Sequence, residues 1–271
     1  DEIKKLLRYA YQTENSLTFP VSAPGSAGME SCFANLVEQG DKVLVCINGV
    51  FGNRMKENVF RCGGEAVIVE DDWGSPVSTE KVEEALKAHP DIKIVAFVHA
   101  ETSTGVCSDA AAISKLAQAH DCLTILDCVT SLAGIPVLID KWGIDAAYSG
   151  SQKCLSCPPG LSPVTFSSRA VDKIRNRNTA VQSWFLDLSL VMDYWSGEGA
   201  RSYHHTAPVN SMYALHESLL LLSKEGLENS WKRHKIRHQE LKTGFEKLGL
   251  AFMVEEPYRL PQMNSVIIPE S

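Results

Sequence analysis

The sequence lacks the features that mark membrane proteins and nucleic-acid-binding proteins. It has no run of about 18 apolar residues, so no membrane-spanning helix and no membrane partner are predicted. It has no basic block either. The 26 Lys and Arg residues against 33 Asp and Glu residues give a formal net charge of −7, which argues against nucleic acid as a partner. The chain does not begin with Met and shows no signal-peptide pattern. We expect both ends to be cut, so that these 271 residues are part of a longer protein.

Cysteine is present, but not in the pattern of a disulfide framework. Eight cysteines are scattered through apolar runs of a chain long enough to bury a large core, which predicts reduced, buried thiols in an intracellular protein. Cys154 and Cys157 form one CxxC pair, but no second pair or suitably spaced histidine completes a zinc site, so packing is favoured. Peroxisome, mitochondrion and cytoplasm all stay open, because targeting signals would lie at the ends that we expect the chain to lack.

Short apolar segments alternate with amphipathic segments up to Phe166. Six of them are typical of strands buried on both faces, as in a parallel sheet: residues 43–47, 66–69, 92–98, 123–126, 146–148 and 163–166. Helices are predicted between them. One follows Gly25 and Ser26 and ends at Gly40, and Ser78 and Ser108 are the predicted N-caps of two others. This order predicts a three-layer α/β domain with a mostly parallel sheet.

The pattern changes after Phe166. A long helical segment is predicted over residues 209–248, with a break near Gly226, and two strands follow at residues 251–254 and 265–268. We therefore expect a large α/β domain over residues 1–200. Residues 201–271 would form a connecting long helix and the start of a smaller C-terminal α+β domain, truncated here.

Ligands of parallel α/β sheets bind at the carboxyl ends of the strands, where three polar features are predicted to lie. Asp127 ends a buried strand, where a carboxylate is costly unless another group pairs with it, although a cap or turn role is equally open. Lys153 follows the strand at 146–148 and is a candidate Schiff-base amine. Taken alone, it is typical of a solvated lysine in a loop. Gly25 and Ser26 stand at a helix start, where backbone N–H groups can bind a phosphate. The alternative is a flexible loop with a serine N-cap and no ligand.

A fourth feature, residues 202–208, concentrates hydrogen-bonding side chains before a helix and includes His204 and His205. Neighbouring residues rarely point at one ion, and no carboxylate or cysteine stands at a helpful spacing, so no metal site is predicted. Each of the four features is a weak signal alone. Their order along the chain is what makes them informative.

Taken in order, these features resemble the class V, fold-type I pyridoxal-phosphate aminotransferases, and within that group the alanine–glyoxylate and serine–pyruvate aminotransferases. The likeness runs from about Val21 to the end of the chain. Its sharpest parts are ETSTGV at residues 101–106, YSGSQK at residues 148–153 followed by PPG at 158–160, and GLENSW at residues 226–231.

The resemblance implies a pyridoxal 5'-phosphate cofactor and the residues that would hold it. Lys153 would form a Schiff base and carry a proton, and Asp127 would bond the pyridinium nitrogen and stay ionised beside it. The other implied contacts are Phe51 stacking on the ring, Thr102 near its 3-oxygen, Gly25, Ser26 and Gln152 at the phosphate, and Tyr203 and Thr206 at the phosphate of the neighbouring subunit.

The reaction that the resemblance implies is transamination from alanine or serine to glyoxylate or pyruvate, in a homodimer with shared active sites. Two departures stand out: Phe51 replaces the Trp that the family usually stacks on the ring, and the carboxylate-binding Arg would lie beyond Ser271. The alternatives left open are another class V transaminase (ureidoglycine–glyoxylate, kynurenine-type or aminoethylphosphonate), a cysteine desulfurase, against which Phe51 argues, and an inactive, scaffold-like relative.

Overall fold

The computed structural model describes residues 1–196 and 203–269. Its helices are α1 (Glu2–Tyr11), α2 (Gly25–Leu36), α3 (Val50–Arg61), α4 (Thr79–Ala88), α5 (Ala110–Ala119), α6 (Ile139–Trp142), α7 (Ser168–Arg175), α8 (Leu188–Ser196), α9 (Val209–Glu225) and α10 (Leu227–Lys247). Its strands are β1 (Leu17–Val21), β2 (Lys42–Ile47), β3 (Glu65–Glu70), β4 (Ile92–Val98), β5 (Ala100–Glu101), β6 (Val106–Cys107), β7 (Leu123–Asp127), β8 (Ala146–Tyr148), β9 (Ser162–Phe166), β10 (Ala251–Phe252) and β11 (Val266–Ile267).

One mostly parallel sheet organises the chain. Its strand order is β1-β9-β8-β7-β4-β2-β3, and β2, β3, β4, β7 and β8 pair in parallel, whereas β9 is antiparallel to both of its neighbours. All six strands predicted up to Phe166 lie in this sheet. The central strands are buried on both faces, which is why their sequences are almost continuously apolar.

The strand of this sheet that the sequence did not reveal is β1, at the edge; the two-residue strands β5 and β6, which form a separate hairpin, were not predicted either. Its sequence interrupts the apolar pattern with Thr18 and Pro20, and Pro20 lies opposite Pro163 of β9. Proline has no N–H to donate, so an edge strand tolerates it. The carbonyl oxygen of Pro163 instead accepts hydrogen bonds of 2.8 Å each from the Tyr11 hydroxyl and the Ser149 N–H.

Helices cover both faces of the sheet and give it two separate cores. Leu7 of α1 and Leu219 of α9 belong to the core on one face, together with residues of α4 and α5. Phe33 of α2 and Met55 of α3 belong to the core on the other face, together with residues of α7 and α8. The predicted three-layer architecture is therefore confirmed.

The N-cap prediction is confirmed for α4 and wrong for α5. The Ser78 side chain accepts a hydrogen bond of 3.2 Å from the backbone N–H of Lys81. At α5 the capping side chain is Asp109, the neighbour of the predicted Ser108. Ser108 is buried instead, and its hydroxyl oxygen accepts a bond of 3.1 Å from the Val77 N–H. A side chain committed to that interior contact cannot also cap the helix.

Helix α2 is shorter than predicted, whereas the long C-terminal helix breaks where expected. The first helix ends at Leu36, and Gly40 lies in the turn before β2 with φ +82°. Gly226, with φ +85°, separates α9 from α10. The strands β10 and β11 pair antiparallel and are shorter than predicted. The predicted domain boundary at residue 200 lies outside the described residues, within which no helix has the length and apolar content to cross a bilayer.

Candidate active site

A cavity of about 200 Å³ lies at the carboxyl edge of the sheet, between the segments that follow β1, β2, β7 and β8. It is lined by Pro24, Gly25, Ser26, Met29, Phe51, Arg54, Asp127, Val129, Tyr148, Gln152 and Lys153. Six of the nine residues singled out from the sequence are among them: Gly25, Ser26, Phe51, Asp127, Gln152 and Lys153. The shared sheet edge is what brings together segments so far apart in sequence.

Asp127 is the buried acid of this cavity, with 2% of its surface exposed. One carboxylate oxygen, Oδ1, accepts a hydrogen bond of 2.9 Å from the Val129 N–H, and Oδ2 accepts one of 2.7 Å from the Tyr148 hydroxyl. The pKa of Asp127 is raised to about 7: burial is the largest cause and the charge of Glu101 adds to it, against the opposing effects of these hydrogen bonds and of Lys153. The acid is therefore poised to ionise beside a cation.

Lys153 lies in the segment between β8 and β9, partly buried. Backbone bonds hold this segment: the Ser151 N–H donates to the Leu161 carbonyl at 3.0 Å, and the Cys157 N–H donates to the Ser151 carbonyl at 3.0 Å. The Ser151 hydroxyl also donates to the Pro158 carbonyl at 2.7 Å. The lysine thus stands on a segment whose backbone is fixed on both sides of it.

The start of α2 forms another wall of the cavity. Gly25 and Ser26 are its first two residues, and the preceding Pro24 offers no side-chain cap. The first N–H groups of a helix have no partner within the helix, and the positive end of the helix dipole favours an anion there. Gln152, an exposed residue, lines the same cavity. The arrangement is suited to binding a phosphate.

Phe51 and Arg54, both in the first half of α3, line the cavity together. The Arg54 guanidinium carbon lies 4.8 Å from the centroid of the Phe51 ring, within cation–π range. A ring in this place can stack on a flat ligand, and the stacking that the resemblance implies for Phe51 stays a prediction.

Thr102 lies beside this cavity rather than in it. It occupies the turn between β5 and β6, and its hydroxyl is hydrogen bonded to that of Thr130. Both threonines line an adjacent cavity of about 340 Å³, to which Cys154, His234 and Lys153 also contribute. Because Lys153 lines both cavities, Thr102 is near the lysine, and its contact with a cofactor stays a prediction.

Tyr203 and Thr206 line neither cavity. Tyr203 is 73% exposed, and its hydroxyl lies 2.8 Å from the Thr206 hydroxyl. The intervening His205 places its Nε2 atom 2.7 Å from the Ser22 hydroxyl, so this segment lies next to the loop between β1 and α2. Both side chains are available to a second molecule.

The histidine pair and the CxxC pair take part in local contacts. His204 stacks on Trp184 with ring centroids 4.4 Å apart, and its Nδ1 lies 2.8 Å from Nδ1 of His205. The Cys154 thiol donates to the Thr130 carbonyl oxygen at 3.6 Å, and burial raises the pKa of that thiol to about 11. In the described ranges no three His, Cys, Asp or Glu side chains are grouped as metal ligands.

Sequence reasoning assigned no role to Tyr148, Glu101 or Arg54. Tyr148 lies directly opposite Asp127 in the parallel pairing of β7 and β8, and the common position at a strand end was the available signal. Glu101 is the first residue of the ETSTGV motif. Its position soon after a buried strand is the same kind of signal that singled out Asp127. The position of Arg54 depends on how α3 approaches the sheet, which the sequence does not show.

Comparisons with known proteins show the family to which the chain belongs. The family model for class-V aminotransferases matches residues 21–268. The chain is 42% identical over 273 residues to the alanine–glyoxylate aminotransferase of Oryctolagus cuniculus, which covers 100% of this chain and 69% of that protein. The chain spans between 65% and 69% of the length of the curated alanine–glyoxylate aminotransferases that it matches.

Solved structures share the fold closely. An alanine–glyoxylate aminotransferase from Nostoc sp. has a TM-score of 0.97 and 47% identity, over 100% of this chain and 71% of that one. A ureidoglycine–glyoxylate aminotransferase from Bacillus subtilis has a TM-score of 0.95 and 36% identity, over 99% of this chain and 68% of that one. On the family match and these identities, the chain belongs to the class-V aminotransferases.

Proposed function

We propose that the protein binds pyridoxal phosphate in the 200 Å³ cavity and, in its complete form, transfers an amino group from alanine or serine to glyoxylate or pyruvate. The observation that carries the proposal is that Lys153, Asp127 and the start of α2 line one cavity. Class-V aminotransferases are pyridoxal-phosphate enzymes, and relatives at 42% and 40% identity are named for alanine and glyoxylate.

The chemical groups in the cavity fit this cofactor. Asp127 is buried and receives hydrogen bonds from two neutral donors only, so a protonated ring nitrogen would supply the positive charge that offsets its burial. The unpaired N–H groups at the start of α2 suit the phosphate. Phe51 offers an aromatic face for the ring, with less area than a tryptophan.

Each residue has a definable task. When bound, pyridoxal phosphate supplies an aldehyde that condenses with amines and a ring that withdraws electrons. The Lys153 amine would hold the cofactor and carry a proton at Nζ. The Asp127 carboxylate would keep the proton on the ring nitrogen, and the Tyr148 hydroxyl, which donates to Asp127 at 2.7 Å, would fix the direction of that carboxylate.

The test of this proposal is chemical trapping on the full-length protein. Pyridoxal phosphate is added, the absorption spectrum is recorded, and borohydride reduction is followed by peptide mapping. We expect the cofactor mass on the peptide that contains Lys153, and its loss in Lys153→Arg but not in Lys141→Arg, a change at an exposed lysine of α6. Label on another lysine, or none, would contradict the proposal and favour an inactive relative.

A second candidate function is ureidoglycine–glyoxylate transamination. The Bacillus subtilis enzyme with that name shares the fold at a TM-score of 0.95. Initial rates with alanine, serine, ureidoglycine, kynurenine and aminoethylphosphonate, each with glyoxylate and with pyruvate, separate the candidates. We expect the highest kcat/KM for alanine or serine, and a preference of ten-fold or more for ureidoglycine would make the second candidate the function.

We further propose that the complete protein is a homodimer in which Tyr203 and Thr206 reach the partner's site. The proposal is supported by the exposure of both side chains, neither of which lines a cavity of its own chain that contains Lys153. Mixing Lys153→Ala with Tyr203→Ala subunits should restore activity, because one site of each mixed dimer then receives both native residues. If the mixture is no more active than its parents, Tyr203 serves its own chain.

A further inference from the structure

Glu101 is a buried carboxylate that the proposed function does not use. It ends β5, forms a hairpin pair with Val106 of β6, and has 0% of its surface exposed. A charge is seldom buried without partners, because transfer out of water is costly. Its surroundings therefore show what retains it there.

The partners of Glu101 lie in its own hairpin and at the start of α3. Its Oε1 atom accepts hydrogen bonds from the Ser103 N–H at 3.0 Å and the Ser103 hydroxyl at 2.7 Å, and its Oε2 atom accepts one from the Phe51 N–H at 3.2 Å. The Ser103 hydroxyl oxygen in turn accepts from the Val50 N–H at 3.1 Å. Two residues of the hairpin thus cap the first two N–H groups of α3, and the positive end of the helix dipole faces the carboxylate.

Gly49 shows how closely the helix start encloses Glu101. A Cβ atom at residue 49 would lie 2.4 Å from the carboxyl carbon of Glu101 and 2.5 Å from the Ser103 hydroxyl oxygen. Neither group can move away without breaking the bonds that cap α3. A side chain at residue 49 is therefore disfavoured by this close approach between the start of α3 and the hairpin.

The hairpin that carries Glu101 lies against the strand that ends in Asp127: the His99 N–H, two residues before Glu101, donates to the Asp127 carbonyl oxygen at 2.9 Å. At this short range, the charge of Glu101 is one of the causes that raise the pKa of Asp127. The titratable groups that interact with Asp127 are Tyr11, Cys32, Glu101, Cys128, Tyr148 and Lys153. Burial raises the pKa of both tyrosines and both cysteines, so these four are neutral at neutral pH. Glu101 is then the second carboxylate near the position where the proposed function needs a cation.

We propose that Glu101 is a positioning residue that fixes Phe51 at the cofactor cavity. It also adds a second negative charge, which favours protonation of the ring nitrogen beside Asp127. The inference rests on the proposed cofactor function. Glu101 acts through Phe51 and Asp127 rather than by touching the cofactor. Its two tasks, holding α3 and supplying charge, are separable by mutation.

Two matched variants of the full-length protein separate these tasks. Glu101→Gln keeps the length of the side chain and removes its charge, whereas Glu101→Asp keeps the charge and shortens the reach to the Phe51 N–H. Hydrogen exchange of the apoprotein reports on the helix start without any cofactor. We expect exchange at Phe51 to accelerate at least ten-fold in both variants, with the last turn of α3 unchanged, and unchanged exchange at Phe51 would refute the positioning role.

The charge is tested with pyridoxamine phosphate labelled with ¹⁵N in its ring, which needs no reaction with Lys153. The nitrogen chemical shift reports ring protonation, and a purely structural role would leave its pH midpoint unchanged. We expect the midpoint to fall in Glu101→Gln and to stay near the wild-type value in Glu101→Asp. Affinity should also fall about ten-fold or more in Glu101→Gln, because the attraction between the carboxylate and the protonated ring is lost.

The outcomes keep the two proposals distinguishable. An identical midpoint in wild type and Glu101→Gln would overturn the charge role while leaving the proposed function intact. Wild-type protein that does not bind pyridoxamine phosphate would overturn the proposed function and the charge role together. The exchange measurement then decides the positioning role alone. If Glu101→Gln does not fold, Glu101→Asp and Ser103→Ala, which removes the Val50 cap without changing charge, still test the hold on α3.

Discussion

Replacing Asp127 with asparagine should stabilise the apoprotein at alkaline pH while weakening cofactor binding. The carboxylate is 2% exposed, and burial raises its pKa in the folded protein to about 7, against an ordinary value of 3.8. The folded state therefore holds a proton that the unfolded state releases between these two pH values. The free energy of unfolding of the wild-type apoprotein should accordingly fall as the pH rises from about 4 to about 7.

The size of the effect follows from the same difference. A shift of one unit in a pKa corresponds to about 1.4 kcal/mol of free energy. Ionising Asp127 in the folded apoprotein therefore lowers the free energy of unfolding by on the order of 4 kcal/mol at pH 8. Asparagine has nearly the same shape and no charge. It can still accept from the Val129 N–H, and its amide group can donate to the Tyr148 hydroxyl oxygen, so the packing is retained.

Urea denaturation of the apoprotein at pH 5 and pH 8 measures the effect. We expect the free energy of unfolding of Asp127→Asn to exceed that of wild type by several kcal/mol at pH 8. The difference should be much smaller at pH 5, where the wild-type carboxyl is protonated. Asp109→Asn, which exchanges one good N-cap of α5 for another, is the control and should change stability little at either pH. An equal difference between Asp127→Asn and wild type at both pH values would refute the reasoning.

Four further changes test other contacts. Tyr148→Phe removes the 2.7 Å bond to the buried acid, so the pKa of that acid should rise and calorimetry at pH 7 should show pyridoxamine phosphate binding about ten-fold weaker. Gly49→Ala should lower the free energy of unfolding by about 1–3 kcal/mol because the new Cβ meets Glu101. Gly244→Ala, which meets nothing in α10, should raise it by up to about 1 kcal/mol. Ser78→Ala should lower it by about 1 kcal/mol in thermal unfolding through loss of the α4 cap.

Each of these changes has an outcome that would contradict it. An unaltered affinity in Tyr148→Phe would mean that the hydroxyl does not orient the acid. Equal effects of the two glycine replacements would mean that the close approach at Gly49 is relieved by movement. A Ser78→Ala protein as stable as wild type would mean that water caps α4 equally well.

The sequence predicted the strands whose burial on both faces requires an almost continuous run of apolar residues. Strands β2, β4 and β7 are covered on both faces, and their apolar runs need no tertiary information to be recognised. Strand β1 is covered as well, but Pro20 interrupts the pattern, and only its place at the edge explains why proline is tolerated. The choice between Ser108 and Asp109 as a cap depended on which side chain faces the interior.

The candidate site was predictable where strand ends supplied its residues. Asp127 and Lys153 could be singled out because ligands of such sheets bind at the carboxyl ends of strands. The role of Glu101 could not be predicted, because it depends on the contact between the β5–β6 hairpin and the start of α3, which are far apart in sequence. Thr102 lines the adjacent cavity together with Lys153, so the cofactor contact that the resemblance implies for it stays a prediction.

The two edges of the sheet restrict how copies of this chain can associate. At one edge, Pro20 removes a donor from β1, and at the other, β3 carries the exposed charges of Glu65 and Glu70 at its two ends. Both features discourage an added strand from pairing. Association through a continuous intermolecular sheet is therefore disfavoured, and a dimer would be built from helix and loop surfaces, where a neighbour's side chains can approach the cavity without disturbing the strand ladder.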